Sequence, residues 1–138
     1  MCLTRRHIVL ASGAFAMPVV ARAADPEPGS LAIAEAFRMR DIAIRAGDQP
    51  YGAVVVLEGQ IIGYGPSRVV VDSDENAHAE RIAIRDAQKR LGRERLDGAT
   101  LVSTSRPCGI CQPVAHRVGV ARMFFGREGR DGGPPFRG

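Results

Sequence analysis

The chain has no tryptophan, and aromatic residues make up only 5% of its 138 positions. Lysine is nearly absent as well, Lys89 being the one instance. No internal repeat and no low-complexity run stands out, which excludes a stacked-repeat architecture. The apolar stretch from Ile8 to Ala21 falls short of the about 20 residues that a membrane-spanning helix needs. Cysteine is scarce too, with Cys2, Cys108 and Cys111 the whole supply. A disulfide-dense scaffold is therefore excluded. What remains has ordinary proportions, 45% hydrophobic and 25% charged, and a length suited to one small domain with a modest core.

Residues 1–23 read as a leader. Arg5 and Arg6 precede the apolar stretch, and Ala21-Arg22-Ala23 closes it with a small-x-small cleavage pattern, the layout of a secretory signal. The arginine pair after Thr4 points to the twin-arginine route; an ordinary export signal that happens to carry adjacent arginines is the simpler alternative. The expected location is periplasmic or otherwise exported, with no membrane contact after the signal is removed. Arg5, Arg6 and Arg22 account for three of the 19 basic residues; without them sixteen basic residues face fifteen acidic ones, a net charge of +1. Nucleic acid usually draws clustered positive charge, and these scattered arginines read instead as a solvated surface.

Residues 24–30, Ala-Asp-Pro-Glu-Pro-Gly-Ser, form a loose leader to a domain over 31–138. Ser30 is a candidate cap for a first helix that stops at Gly47. The runs 53–58 and 61–65, joined by Glu58-Gly59-Gln60, predict a hairpin. Asn76 is a candidate cap for a helix over 78–92, with Ile82, Ala83 and Leu91 inward. A strand over 100–104, a short helix over 108–118 and a strand over 120–126 follow, and the Gly/Pro-rich tail is expected to be irregular. Strand–helix–strand units favour parallel pairing, so the fold class is α/β, with about four strands in a mixed sheet and helices packed on it in two or three layers.

Cys108 and Cys111 are spaced C-x-x-C. They could form a disulfide, cycle as a redox pair or hold a metal. His78-Ala79-Glu80 opens the second helix and Pro107 to Cys111 opens the third. One imidazole and two thiolates make a three-ligand zinc set whose fourth position is left to water. Helix N-termini favour the thiolates that a metal needs. Glu80 separates a hydrolytic site from a structural one, because a carboxylate beside a zinc-bound water can move its proton.

H-x-E followed by P-C-x-x-C resembles the zinc-dependent cytidine/deoxycytidylate-type deaminase superfamily, in its cytosine, guanine and tRNA-adenosine deaminase-like branch. The similarity runs from about Asp48 to Gly126. It implies a cytidine-deaminase-like fold with a shortened C-terminal element. It implies zinc (Zn2+) on His78, Cys108 and Cys111, and Glu80 as the proton shuttle. Tyr51 and the backbone around Ala79 would face the substrate. Ser67 stands where many relatives carry a base-contacting asparagine, and Arg106 where base- and tRNA-acting relatives often carry glutamate.

The implied reaction is hydrolytic release of ammonia from a nucleobase or nucleoside, guanine or cytosine being the simplest expectation. The implied partner is that small molecule. A nucleic-acid substrate is disfavoured, and a homodimer is expected from the habit of relatives. Two other readings stand beside it. A thiol–disulfide oxidoreductase using Cys108/Cys111 leaves His78 and Glu80 unexplained, and only Pro113, Pro134 and Pro135 follow the cysteines. A non-catalytic zinc-binding domain has no use for Glu80. His116 reads as a surface histidine.

Overall fold

The structure, a computed structural model, describes residues 27–138. The signal-peptide reading of residues 1–23 lies outside the described residues. The chain runs α1 (Ser30–Arg45), β1 (Gly52–Leu57), β2 (Gln60–Pro66), α2 (Ala79–Leu91), β3 (Thr100–Ser103), α3 (Cys111–Val118), β4 (Arg122–Phe125) and β5 (Arg130–Gly133). The strands make one sheet in the order β2-β1-β3-β4-β5. β1 is antiparallel to both β2 and β3, and β3 and β4, joined through α3, are parallel. The sheet is mixed, as expected, but it has five strands rather than four.

The hairpin turns at Glu58 and Gly59, with φ of 52° and 76°. Positive φ at both central residues matches the right-handed strand twist. Side chains alternate along each strand, so the pleat divides the core into two. Val54 and Val102 point to one face, where Ala32, Ala36 and Met39 of α1 cover them. Ala53, Val55, Leu101 and Met123 point to the other, under Ala83, Ile84 and Ala87 of α2 and Ala115 and Val118 of α3. Three layers result.

α2 sits unusually close to β2. A Cβ on Gly63 or Gly65 would run into the Ala83 and Ala79 carbonyl oxygens of the helix. On the helix side, Ala79, Ala83 and Ala87 are all buried, a small-residue stripe at i, i+4, i+8. Glycine on the strand facing alanine on the helix fixes where the N-terminus of α2 lies over the sheet.

Several local expectations are corrected. Gly29, not Ser30, is the residue before α1, and Ser30 is already helical. His78, not Asn76, occupies the N-cap of α2, with extended φ and ψ and no side-chain capping bond. Asn76 is otherwise engaged: its Oδ1 accepts from Arg81 Nη1 at 3.1 Å and its backbone N–H donates to Asp74 at 2.9 Å. Leu91 is exposed rather than inward, and Ile82 is half-buried. The third helix begins at Cys111, so Cys108 lies in the turn before it. The tail is not wholly irregular, since Arg130–Gly133 adds an antiparallel edge strand to β4. Its cross-strand ion pair of Arg122 with Asp131, two half-exposed side chains, stands in for apolar alternation.

Candidate functional site

The site forms at the edge of the sheet where β3 ends, β1 begins, and the N-termini of α2 and α3 converge. Pairing of Ala53 with Ser103 puts Tyr51 and Gly52 opposite Thr104 and Ser105. Gly52 and Thr104 lock this edge: the Gly52 N–H donates to Thr104 Oγ1 at 3.1 Å, and the Thr104 N–H donates to the Gly52 carbonyl at 2.9 Å. β3 then delivers the turn Arg106–Cys108. The Cys111 and Gln112 N–H groups fold back onto the Cys108 carbonyl at 3.1 and 3.2 Å. The Gln112 side-chain amide donates to the Pro107 carbonyl at 3.2 Å and pins the turn from the helix side.

Across this edge His78 Nδ1 lies 3.4 Å from Cys108 Sγ and 3.6 Å from Cys111 Sγ, and the two sulfurs are 3.6 Å apart. Both thiols are free, and their separation is far beyond the ~2.05 Å of a disulfide. The triangle can be compared with what a metal demands. A tetrahedral zinc, with Zn–S about 2.3 Å and Zn–N about 2.05 Å, separates its sulfurs by roughly 3.8 Å and each sulfur from the nitrogen by roughly 3.5 Å. All three observed edges lie close to those values, so the donor set fits zinc in both chemistry and size. Cys111 is buried, His78 half-buried and Cys108 exposed, so the triangle opens outward on one side.

Glu80 stands behind the triangle, only 6% exposed, with Oε2 3.8 Å from Cys111 Sγ. Burial pushes its carboxyl above the ordinary range, partly offset by its own backbone N–H and the Cys111 thiol. Burial also pushes the Cys111 thiol up, and the neighbouring Glu80 charge and the Cys108 sulfur add to the rise. A cleft of about 210 Å³ opens beside the triangle, lined among others by Tyr51, Ser67, Ala79, Glu80 and Arg106. Tyr51 stands exposed at its mouth, whereas Ala79 is fully buried.

Of the residues expected at the site, Tyr51, Ser67, Ala79 and Glu80 line the cleft, and His78, Cys108 and Cys111 form the triangle beside it. Ser67 has a further attachment that the reading missed: its hydroxyl donates to Asp48 Oδ1 at 2.8 Å. Asp48 also accepts from the Gln49 N–H at 2.8 Å, the Val70 N–H at 2.9 Å and the Val71 N–H at 2.8 Å. Burial alone would raise its pKa, yet the bonds from Val71, Gln49, Ser67 and Val70 outweigh it and hold the carboxyl below its ordinary value. Asp48 thereby ties the loop after β2 to the loop before β1. No local signal marks it, since three of its four partners lie 19 to 23 residues along the chain. His116 is exposed on α3, as expected, and accepts from Arg137 Nε at 3.3 Å.

Among the described residues the triangle offers three protein donors and no fourth, the donor count of an open zinc site rather than of a closed one. Comparison with known proteins agrees. Residues 29–127 match the family described as the cytidine and deoxycytidylate deaminase zinc-binding region, and the chain belongs to that family. Over 84 residues it is 39% identical to a tRNA-specific adenosine deaminase of Agrobacterium fabrum, covering 61% of this chain and 55% of that protein. Over 82 residues it is 38% identical to a guanine deaminase of Bacillus subtilis, covering 59% of this chain and 53% of that protein. The chain thus spans about half the length of these curated relatives. Its fold superimposes on a solved tRNA:A34 deaminase with a TM-score of 0.68, 34% identity and 70% of each chain covered. For the solved guanine deaminase of Bacillus subtilis the TM-score is 0.67, with 32% identity, 71% of this chain and 63% of that one.

Proposed function

We infer that the chain is a zinc-dependent hydrolytic deaminase of a nucleobase or nucleoside, guanine or cytosine first among them, and that it acts outside the cytoplasm. The observation that carries this reading is the buried Glu80 carboxylate beside a three-donor triangle. The redox reading is not favoured, because it gives no role to His78 or Glu80. A closed structural zinc site gives none to Glu80 either.

His78, Cys108 and Cys111 hold the metal in this reading. Zinc bound there supplies a water whose pKa is lowered towards ~7. Glu80 would take one proton from that water and give it to a ring nitrogen of the substrate, and would then carry the remaining proton, from the new hydroxyl, to the departing amine. The ring carbon exchanges its C–N bond for a C–O bond, and the products are the keto ring and ammonia. The raised pKa of Glu80 suits a group that must both accept and give a proton. Ala79 supplies the buried wall of the cleft, Tyr51 its exposed rim, and Ser67 a hydroxyl oxygen held by Asp48. Export rests on the Arg5-Arg6 leader sequence alone.

The test is an ammonia-release screen with zinc-loaded protein over free bases, nucleosides and a tRNA anticodon arm, with Glu80→Ala as control. Release that depends on Glu80 supports the reading. A protein that holds one zinc per chain yet releases no ammonia from any of them overturns it. Appearance of a shortened chain outside the cytoplasm, lost when Arg5 and Arg6 are both changed to Lys, tests export.

A further inference from the structure

Arg106 stands at the mouth of the cleft and is the one lysine or arginine in its lining. Several arginines around the fold have carboxylate partners, among them Arg38 with Glu35, Arg68 with Asp72, Arg90 with Asp86, Arg95 with Asp97 and Arg122 with Asp131, and none of these lines the cleft. Arg106 pairs with no carboxylate among the described residues. Its guanidinium instead lies 5.6 Å from the centroid of the Phe125 ring. Stacking of this kind restrains the side chain without using its N–H groups. The result is a positioned fork of free donors beside a reaction site.

The cleft is small. About 210 Å³ falls below the ~300–1,000 Å³ of sites that bury drug-sized ligands. One heterocycle fills it, and any substituent must emerge at the mouth. Arg106 lies two residues before Cys108, so the two Cα atoms are at most roughly 7 Å apart. A substituent that leaves a ring seated in the cleft therefore emerges on the side that Arg106 lines.

We propose that Arg106 reads an anion, and that the substrate is an amino-bearing heterocycle carrying a carboxylate or a phosphate. This rests on the deaminase reading for the amine and on Arg106 alone for the anion. A guanidinium binds either group through two parallel N–H···O bonds. The reaction is unchanged: water replaces the amine, ammonia leaves, and the anionic group stays on the ring.

The experiment uses the zinc-loaded protein and matched pairs that differ only in the anion. Cytosine against 5-carboxycytosine reports the carboxylate. Cytidine and guanosine against their 5′-monophosphates report the phosphate. Ammonia release gives the ratio of kcat/KM within each pair, and calorimetric binding to Glu80→Gln protein gives the same ratio without turnover. The expected wild-type ratio is about tenfold or more for the anionic member of at least one pair, narrowing as salt is raised. Arg106→Gln brings it to about one, Arg106→Glu inverts it, and Arg127→Gln, a change to the arginine stacked on Phe37, leaves it in place. The pair that shows the ratio identifies the anion. A wild-type ratio near one in every pair, or a ratio retained in Arg106→Gln, overturns the proposal. Anion-selective binding without ammonia from any compound overturns the deaminase reading and leaves Arg106 as an anion reader.

Discussion

Glu80 Oε2 lies 3.8 Å from Cys111 Sγ, and both groups are buried. Two acids packed this closely disfavour each other's ionisation, and burial disfavours both. The thiol carries most of the consequence, because the carboxylate charge raises it further while the thiol proton offers the carboxylate a bond. A divalent cation in the triangle reverses the balance by stabilising the thiolate.

Zinc uptake is accordingly coupled to proton release. With its pKa raised by burial first and Glu80 second, Cys111 is a thiol at neutral pH in the metal-free protein, and zinc takes it as thiolate. At least one proton per zinc is expected, and apparent affinity rises as pH rises from 6 to 8. Calorimetric titration in two buffers of different ionisation enthalpy measures the release. Uptake that liberates no proton would count against Cys111 as a ligand. Chelation should also expose both sulfurs to a thiol reagent and lower Tm, since a ligand that binds only the native state stabilises it.

Changing Glu80 to Gln keeps the volume and removes the base. Ammonia release should fall by about 10²- to 10⁴-fold, the usual worth of a positioned proton-transfer group. Zinc content should stay near one per chain, because His78, Cys108 and Cys111 are untouched. Loss of zinc along with activity would make Glu80 a support of the metal rather than a mover of protons.

Asp48 holds three backbone N–H groups and the Ser67 hydroxyl at once. Asp48→Ala strands these donors, at an expected cost of about 1–3 kcal/mol. The pH dependence has a definite sign. The folded-state pKa is depressed, so the contribution is present in full above the ordinary aspartate pKa of ~3.9 and is lost as pH falls through the lower folded value. Urea unfolding of wild type and Asp48→Asn at pH 7 and pH 3 measures this. The gap between the two proteins should be wide at pH 7 and narrower at pH 3. A gap that stays constant would mean that the charge of Asp48 is not what the loop requires.

The metal triangle was legible in the sequence because chemistry restricts it to a few residue types at short spacings near helix starts. The hairpin was legible for a similar reason, since Glu58-Gly59 supplies the φ values that its turn needs. β5 was not, because Arg130-Asp131-Gly132-Gly133 has no apolar alternation and is held by pairing to β4 and an Arg122–Asp131 ion pair. Ser67 lines the cleft, but its bond to Asp48 joins two loops 19 residues apart, and no local pattern encodes that. The cap of α2 went to His78 because Asn76 spends its side chain on Arg81. β5 and the Asp48–Ser67 bond thus depend on partners distant in sequence, whereas the Asn76 side chain is taken by Arg81 in the first turn of α2 itself.

The last prediction joins fold to site through Gly65. A Cβ there would collide with the Ala79 carbonyl and the Ala83 N–H of α2. These are backbone atoms in a packed helix and cannot move aside as a flexible side chain would. Gly65→Ala should therefore push the start of α2 off β2 and cost about 1–3 kcal/mol or more. The same shift carries His78 and Glu80 with it, since both sit at the first turn of that helix. His78 Nδ1 now stands 3.4 and 3.6 Å from the sulfurs, which belong to a different element and do not follow. Zinc affinity should thus fall together with stability. Gly59→Ala, with nothing within 4 Å of its Cβ but a φ of 76°, separates the two effects: it should lower Tm through turn strain and leave zinc affinity within about twofold. If Gly65→Ala lowers Tm but binds zinc as wild type does, the closeness of α2 to β2 serves packing alone and does not set the geometry of the metal triangle.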